Sequence, residues 1–194
     1  MEADLFKLIS VDVKIRSKAI ALRLQTVLPK IIHHNQHAYV KGRKTNDTIR
    51  AMDEILVYNE RYGINGKMLA ADFQKAFDSV NRNFLFSTLA AFNFGSWFIQ
   101  WIQTFYQHIS SCVVNNGFST GPFEIQRGVR YGDPLSPYLF IIVLKVLAIS
   151  IHKNKDIQGI VVDRIEMKVE LFADDLTVFL RNDGSVRHLL ALIS

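Results

Sequence analysis

Apolar residues recur at helical spacing in some stretches of this chain and alternate with polar ones in others, and the change of period marks its elements. "KIRSKAIALRLQTVL" predicts a helix over 13–27, with Ile15, Ala19, Leu22 and Val27 along one face and Pro29 ending it. A second helix follows "GRKTND", where Thr45 or Asn46 can cap "DTIRAMDEILVYNERY" before Gly63 ends it. "GKMLAADF" (66–73) is short, apolar and bounded by turn residues, the pattern of a buried strand. "NRNFLFSTLAAFNFG" and "SWFIQWIQTFYQHI" predict two helices separated by Gly95. "SCVVNNGFSTGPFEIQRGV" carries the Asn-Gly and Gly-Pro punctuation of a hairpin. A long buried helix is expected over 136–153, and "MKVELFA" and "LTVFLRN" predict two strands meeting at Asp174 and Asp175. Helices that alternate irregularly with hairpins imply an α+β fold with an antiparallel sheet rather than a doubly wound parallel one.

Composition narrows the class. With 194 residues, 49% of them hydrophobic and 21% charged, the chain can bury a core and is not a disordered one. No repeat, low-complexity run or Pro/Ser-rich linker marks an internal boundary. Cys112, the single cysteine, excludes an intramolecular disulfide and fits a reducing compartment. Twenty-three Lys and Arg against 18 acids give a net charge of +5, a mild excess that permits a polyanionic partner without requiring one. The start "MEADLFKLIS" lacks the basic and apolar regions of a signal peptide. The most apolar segment, "YLFIIVLKVLAISI" (138–151), is too short for a bilayer and is interrupted by Lys145. The expectation is an intracellular protein, in nucleus or cytoplasm, with no membrane partner.

Two adjacent acids between apolar runs then require a reason. Alone, strand–Asp–Asp–strand is most often a hairpin turn, because Asp tolerates turn geometry. A third acid, Asp72, closes the strand "MLAAD", where a charge without a partner is costly. If that strand lies beside the 169–180 hairpin, Asp72 and Asp174 converge at one rim. At a separation of about 4 Å and an effective dielectric of about 20, the repulsion is about 4 kcal/mol. Protonation of one acid relieves it, and a divalent cation relieves it more completely; oxygen-only ligands favour Mg²⁺ or Mn²⁺ over zinc. Two such ions about 3.5–4 Å apart suit phosphoryl transfer. Asp78 is read as a helix cap.

Three blocks, "ADFQKAFDSV" (71–80), "RGVRYGDPLSPYLF" (127–140) and "LFADD" (171–175), stand in the order and approximate spacing of the reverse transcriptase palm. The chain most closely resembles the domain of non-LTR (LINE-type) retrotransposons, and "HAYVKGRKTNDTI" (37–49) resembles the segment preceding the first block. The resemblance covers nearly the whole chain. It implies a right-hand polymerase-like fold, with fingers roughly over 1–65 and 84–132, palm roughly over 66–83 and 133–194, and no thumb. It implies RNA-directed DNA polymerase activity with an RNA template, a DNA primer and deoxynucleoside triphosphates as partners. Two Mg²⁺ ions, or Mn²⁺, would be held by Asp72, Asp174 and Asp175, with the Phe73 carbonyl as an extra ligand. Phe77 matches the ring that closes the pocket against a ribose 2′-hydroxyl, and it also reads as a plain core aromatic. Tyr131 and Gly132 fall at the nucleotide, where glycine lets the backbone come close. Ser136 and Pro137 would open the long helix. Lys41, Arg43 and Lys44 are candidates for phosphate contacts, or form a solvated basic loop.

The chain departs from the family pattern in three places. Tyr131 stands where the family has glutamine, whose amide both donates and accepts. "EADLFKLIS" has no Arg-Pro pair, and the chain stops after "FLRNDGSVRHLL", before the later palm elements. Two expectations follow: a partial polymerase domain, or a decayed copy retained as a non-catalytic nucleic-acid-binding remnant. A metal-dependent nuclease ranks below both, since it leaves "RGVRYGDPLSP" unexplained.

Overall fold

The computed structural model describes residues 9–193, so the expectations drawn from the first eight residues lie outside it. In chain order the elements are α1 (Val11–Ile31), α2 (Thr45–Arg61), β1 (Lys67–Asp72), α3 (Ala76–Ser79), α4 (Arg82–Ala91) and α5 (Ser96–Tyr106). Then come β2 (Ser110–Ser111), β3 (Val114–Asn115), β4 (Phe118–Ser119), β5 (Phe123–Glu124) and α6 (Ser136–Lys153). The last are β6 (Ile160–Val162), β7 (Ile165–Met167), β8 (Val169–Phe172), β9 (Asp175–Leu180) and α7 (Asp183–Ile193). Helices mixed with small antiparallel sheets make the α+β class that the pattern predicts.

The chain divides into two compact units. Among the described residues, one comprises 9–26 and 75–143, the other 27–74 and 144–193. In the second, an antiparallel sheet runs in the order β1-β9-β8. Side chains alternate along β9, so its two faces build two cores. Leu176, Val178 and Leu180 join Ala148, Ile151 and Leu189 in one cluster, with Leu69 of β1 against it. Phe179 faces the other way and packs with Ile55 of α2 and Ile160 of β6. The central strand is buried on both faces, which is why "LTVFL" is nearly continuous in apolar residues.

A loop with no regular secondary structure, 33–44, runs against this sheet, and its polar groups are nonetheless satisfied. Gln36 bridges Leu171 in parallel: His37 N donates to the Leu171 carbonyl at 3.0 Å, and Leu171 N donates to the Asn35 carbonyl at 2.7 Å. Asn35 Nδ2 donates to the Val169 carbonyl at 2.8 Å. The Arg43 guanidinium donates to the carbonyls of His33 and Gln36 and, at 2.9 Å, to that of Ile32. Buried Lys168 closes the C-terminal end of α6, donating to the carbonyls of His152 and Asn154.

In the first unit, Tyr106 is the hub. Its hydroxyl lies 3.1 Å from Ser136 Oγ, and its ring is flanked by the guanidinium groups of Arg82 and Arg130. Arg82 also donates to the carbonyls of Gly128, Tyr106 and Arg127, which ties the loop before α6 to α4. β3 and β4 pair across Asn116–Gly117, nested inside β2 and β5, as the Asn-Gly signal predicts. Asp133 precedes α6 and accepts from Leu135 N, and the helix opens on Ser136 and Pro137. By length and composition α6 is apolar enough to cross a bilayer, whereas the apolar run alone is too short; half of that window is buried within the protein.

Several local expectations are corrected. α1 runs through Pro29 to Ile31, because the proline removes one hydrogen bond near the helix end while Leu28 and Ile32 are buried on either side of it. Its buried face is Ser17, Ala21, Leu24 and Leu28; Ile15, Ala19, Leu22 and Val27 are exposed. The cap of α2 is Lys44, whose N–H is received by the Asp47 carboxylate at 3.0 Å, not Thr45 or Asn46. Asn81, not Asp78, caps α4, accepting from Phe84 N at 3.1 Å; Asp78 lies within the short helix α3. The hairpin β6–β7 and helix α7 were not expected: "VDRI" turns through positive φ at Asp163 and Arg164 without a glycine, and α7 begins beyond the last apolar strand.

Replacing Arg43 by Lys leaves a point charge in place of a fork that serves three carbonyls. Arg43→Lys is expected to lower unfolding stability by about 1–3 kcal/mol in a denaturant titration. An unchanged midpoint would mean that these carbonyls find other partners.

Candidate functional site

The register of β1 on β9 decides where the acids lie. Asp72 pairs directly with Asp175, and Asp175 in turn pairs with Phe172 of β8. Residues directly opposite on an antiparallel pair project to the same side, with Cβ atoms about 4.5–5.5 Å apart. Asp72 and Asp175 therefore share the face of Met68, Ala70, Thr177 and Phe179, away from the cluster of Leu69, Leu176 and Val178. Asp174 sits beside them in the two-residue turn Ala173–Asp174, half-buried where Asp72 and Asp175 are exposed. The sequence pattern brings Asp72 and Asp174 to one rim; the register sets Asp175 directly across from Asp72, with Asp174 at the adjoining corner.

β1 is not the buried strand that "MLAAD" suggests. It lies at the edge of the three-stranded sheet, and Lys67, Met68, Ala70 and Asp72 are exposed. The acid at its end keeps its water, so the cost of desolvation that first singled it out does not arise. What singles out Asp72 is the second carboxylate facing it. Phe73 follows immediately, its ring packed against the core cluster beneath the strand end.

The chemistry of this donor set is all hard oxygen. Among the described residues, no three His, Cys, Asp or Glu side chains gather into a cage for a metal ion. Mg²⁺ does not need one, since it characteristically takes one or two protein carboxylates and leaves its other positions to water and phosphate oxygens. A facing pair with a third acid at the next corner fits that requirement, and fits zinc poorly.

On the same face of β8 lies Glu170, 3% exposed and paired with Thr177 across the sheet. Burial pushes its carboxyl up to about 8. His37 Nε2 lies 3.0 Å from Glu170 Oε2, and burial, then the Arg43 charge, hold the imidazole below its ordinary value. Both groups are thus driven toward their neutral forms and share one hydrogen bond.

In the other unit, Phe77 and Tyr131 come together. The Phe77 ring stacks on Phe140 at 4.9 Å between centroids and meets Tyr131 edge-on at 5.7 Å. Two main-chain bonds, Gly128 N to the Val80 carbonyl and Val129 N to the Phe77 carbonyl, join the short helix to the loop bearing Tyr131. Gly128 is obligatory there: its φ is +86°, and a Cβ would stand 2.8 Å from Asp78 Cα. Tyr131 is exposed, and Gly132 at φ +77° has open space where a Cβ would lie. Lys41 and Lys44 are exposed on their loop. Arg43 is not a free phosphate donor, because both terminal nitrogens of its guanidinium are bound to main-chain carbonyls.

Sequence reasoning passed over Asn35, Gln36, Glu170 and Arg82. Each is an ordinary polar residue in its local context, and only the tertiary fold brings main-chain groups to it. The one available signal was Glu170 itself, a charge inside "VELFA".

The family described as reverse transcriptase (RNA-dependent DNA polymerase) matches residues 5–194. The chain is 36% identical over 171 residues to the transposon TX1 uncharacterized 149 kDa protein of Xenopus laevis, covering 87% of this chain and 13% of that protein. It is 29% identical over 133 residues to the Pol polyprotein of the type-2 retrotransposable element R2DM of Drosophila melanogaster, covering 69% of this chain and 12% of that one. It thus spans only about an eighth of the length of these relatives. In fold it is similar to a telomerase from Candida albicans solved with a fragment of telomeric RNA (TM-score 0.61, 10% identity, 97% of this chain and 36% of that one). It is likewise similar to an apo telomerase from Candida tropicalis (TM-score 0.58, 13% identity, 93% and 36%).

The buried Glu170–His37 pair carries a signed pH dependence. Glu170 is raised from 4.5 to about 8, so the folded chain holds a proton that the unfolded chain releases, and stability falls as pH rises toward the folded value. Below 6.5 the depressed His37 acts in the opposite sense, which leaves roughly pH 6.5–8 as the window where Glu170 acts alone. Denaturant midpoints should fall with rising pH across that window, and Glu170→Gln should flatten most of the fall. A slope that Glu170→Gln leaves unchanged would assign it to another group.

Proposed function

The chain belongs to the reverse transcriptase (RNA-dependent DNA polymerase) family, and on that premise we propose that it is the polymerase part of a retroelement protein, extending a DNA primer on an RNA template. The observation that carries this reading is the pair Asp72 and Asp175 facing each other across β1 and β9, with Asp174 at the adjoining turn. The reaction joins the α-phosphate of a deoxynucleoside triphosphate to a primer 3′-hydroxyl and releases pyrophosphate. In this assignment 1–65 and 84–132 serve as fingers, and 66–83 and 133–194 as palm.

Asp72, Asp174 and Asp175 would hold two divalent cations, Mg²⁺ or Mn²⁺ in its place, with the Phe73 carbonyl as a further oxygen. Bound there, such ions lower the pKa of an attacking hydroxyl and neutralise charge on phosphoryl oxygens. The protein's own contribution is placement. The sheet register holds two of the carboxylates on one face, and the hairpin turn holds the third beside them. Because Asp72 and Asp175 are exposed, they keep the water that substrate phosphate oxygens would displace.

Phe77 would present its ring against the sugar of the incoming nucleotide, leaving no room for a 2′-hydroxyl. Its stack on Phe140 and edge contact with Tyr131 limit how far the ring can swing away. Tyr131 carries donor and acceptor on a single oxygen where an amide holds them on two atoms, so it supports a nucleotide by ring contact rather than by paired hydrogen bonds. The open space at Gly132 suits a close approach of substrate to backbone. Lys41 and Lys44, exposed on their loop, would meet template phosphates by charge, a contact that weakens as salt rises.

Primer extension on an RNA template should require Mg²⁺ or Mn²⁺, and Asp72→Asn or Asp174→Asn should each reduce it by roughly 100-fold or more. Extension that proceeds in chelator, or that survives Asp174→Asn, would remove the acids from the chemistry. Tyr131→Gln is expected to lower the KM for deoxynucleotide, since it restores an amide to the nucleotide site; an unchanged KM would show that Tyr131 stands clear of the substrate.

A further inference from the structure

The turn that carries Asp174 is made with an unsuitable residue. Phe172 pairs with Asp175, which leaves Ala173 and Asp174 as a two-residue hairpin loop. Ala173 adopts φ +55°, a conformation that such loops usually give to Gly, Asn or Asp. Alanine has a Cβ that resists this region and no polar atom with which to compensate. Something outside the turn must hold it.

Gln36 is placed to do so. Its Oε1 accepts from Ala173 N at 3.2 Å, and its Nε2 donates to the Ala173 carbonyl at 3.3 Å. One side-chain amide thus grips both main-chain polar groups of the strained residue. The amide is itself oriented, because Oε1 also accepts from Ala38 N at 3.0 Å. Its backbone is anchored on both sides by the bonds of Asn35 and His37 to Leu171, and its own carbonyl by Arg43. Gln36 is 3% exposed and Ala173 8%, so water does not compete for these bonds.

We infer that Gln36 is a positioning residue for the acid-bearing turn, locking the Ala173 backbone so that Asp174 and Asp175 are presented as one rigid pair beside Asp72. The inference rests on the reading of these acids as a divalent-cation site, and it assigns part of that site's affinity to a residue that touches no ion. A side chain that carries no charge, comes from a distant loop and acts through the main chain would tune cation affinity without altering the donor set. Substitutions in partners of metal ligands typically weaken metal affinity by roughly 10–100-fold.

The test uses the ¹⁵N-labelled chain, with amide exchange at Ala173 as one readout and Mn²⁺ affinity, from the electron paramagnetic resonance signal of free Mn²⁺, as the other. Gln36→Met keeps length and apolar volume and removes the grip. Faster exchange is expected at Ala173 with Val178 and Leu180 unchanged, together with a loss of roughly tenfold in Mn²⁺ affinity. Ala173→Gly in the same background should recover a substantial part of that loss, since glycine takes a positive φ without strain. A general loosening of the fold would not be relieved in this way. If Gln36→Met does not fold, Gln36→Asn, whose uncharged amide is one methylene too short to reach Ala173, should give a loss of the same kind. Unchanged exchange at Ala173, unchanged Mn²⁺ affinity, or no recovery with Ala173→Gly each overturns the inference. An unaltered chain that binds no Mn²⁺ overturns the cation-site reading instead, and exchange at Ala173 still decides whether Gln36 holds the turn.

Discussion

The antiparallel register of β1 on β9 is the constraint on which the site depends. A slip of one residue would send Asp72 to the opposite face, toward Leu176 and Val178 of β9, and the acids would no longer meet. The register is held by the alternation of the two strands: Leu69 of β1 and Leu176, Val178 and Leu180 of β9 must all reach one core cluster at once. Phe179, pointing the other way, must reach Ile55 and Ile160. With both faces of the central strand committed to separate cores, no other pairing buries the same apolar surface. The charged pair lies at the end of this ladder, where packing has already determined its geometry.

A second constraint is the cost of burying an irregular segment. The loop over 33–44 lies against β8 without a helix or ladder to satisfy its backbone, so polar side chains do that work. Arg43 serves three carbonyls, Asn35 bonds the Val169 carbonyl, and Gln36 bonds Ala173. Glu170 and His37 add one side-chain bond between the loop and β8, with burial holding both toward their neutral forms. A basic-looking stretch is thereby shared between structure and surface: Arg43 is enclosed among carbonyls, while Lys41 and Lys44 remain in solvent. Charge in a sequence reports how many cations a segment has, and only their partners report which of them can meet a phosphate.

Relatives over 87% and 69% of the chain place it among retrotransposon proteins, and the telomerase likeness, at 10–13% identity, concerns the fold alone. Tyr131, where the resemblance leads one to expect glutamine, is exposed on the loop before α6. Its ring lies edge-on to Phe77, which itself stacks on Phe140, so the change extends an aromatic cluster rather than leaving a gap.

The sequence by itself determined most of the element types, the α+β class and the three ordered blocks, and it put forward Asp72, Asp174 and Asp175 as candidates, because hydrophobic period and turn chemistry are local properties that survive without coordinates. It misjudged which face of α1 is buried, how far Pro29 limits that helix and whether β1 lies inside, because burial depends on what packs alongside. It was silent on Gln36 and Arg82, whose side chains mean nothing until distant main-chain groups arrive beside them. Only the tertiary structure decided that Asp175 faces Asp72, since register is settled between strands by the cores beneath them and not within either strand.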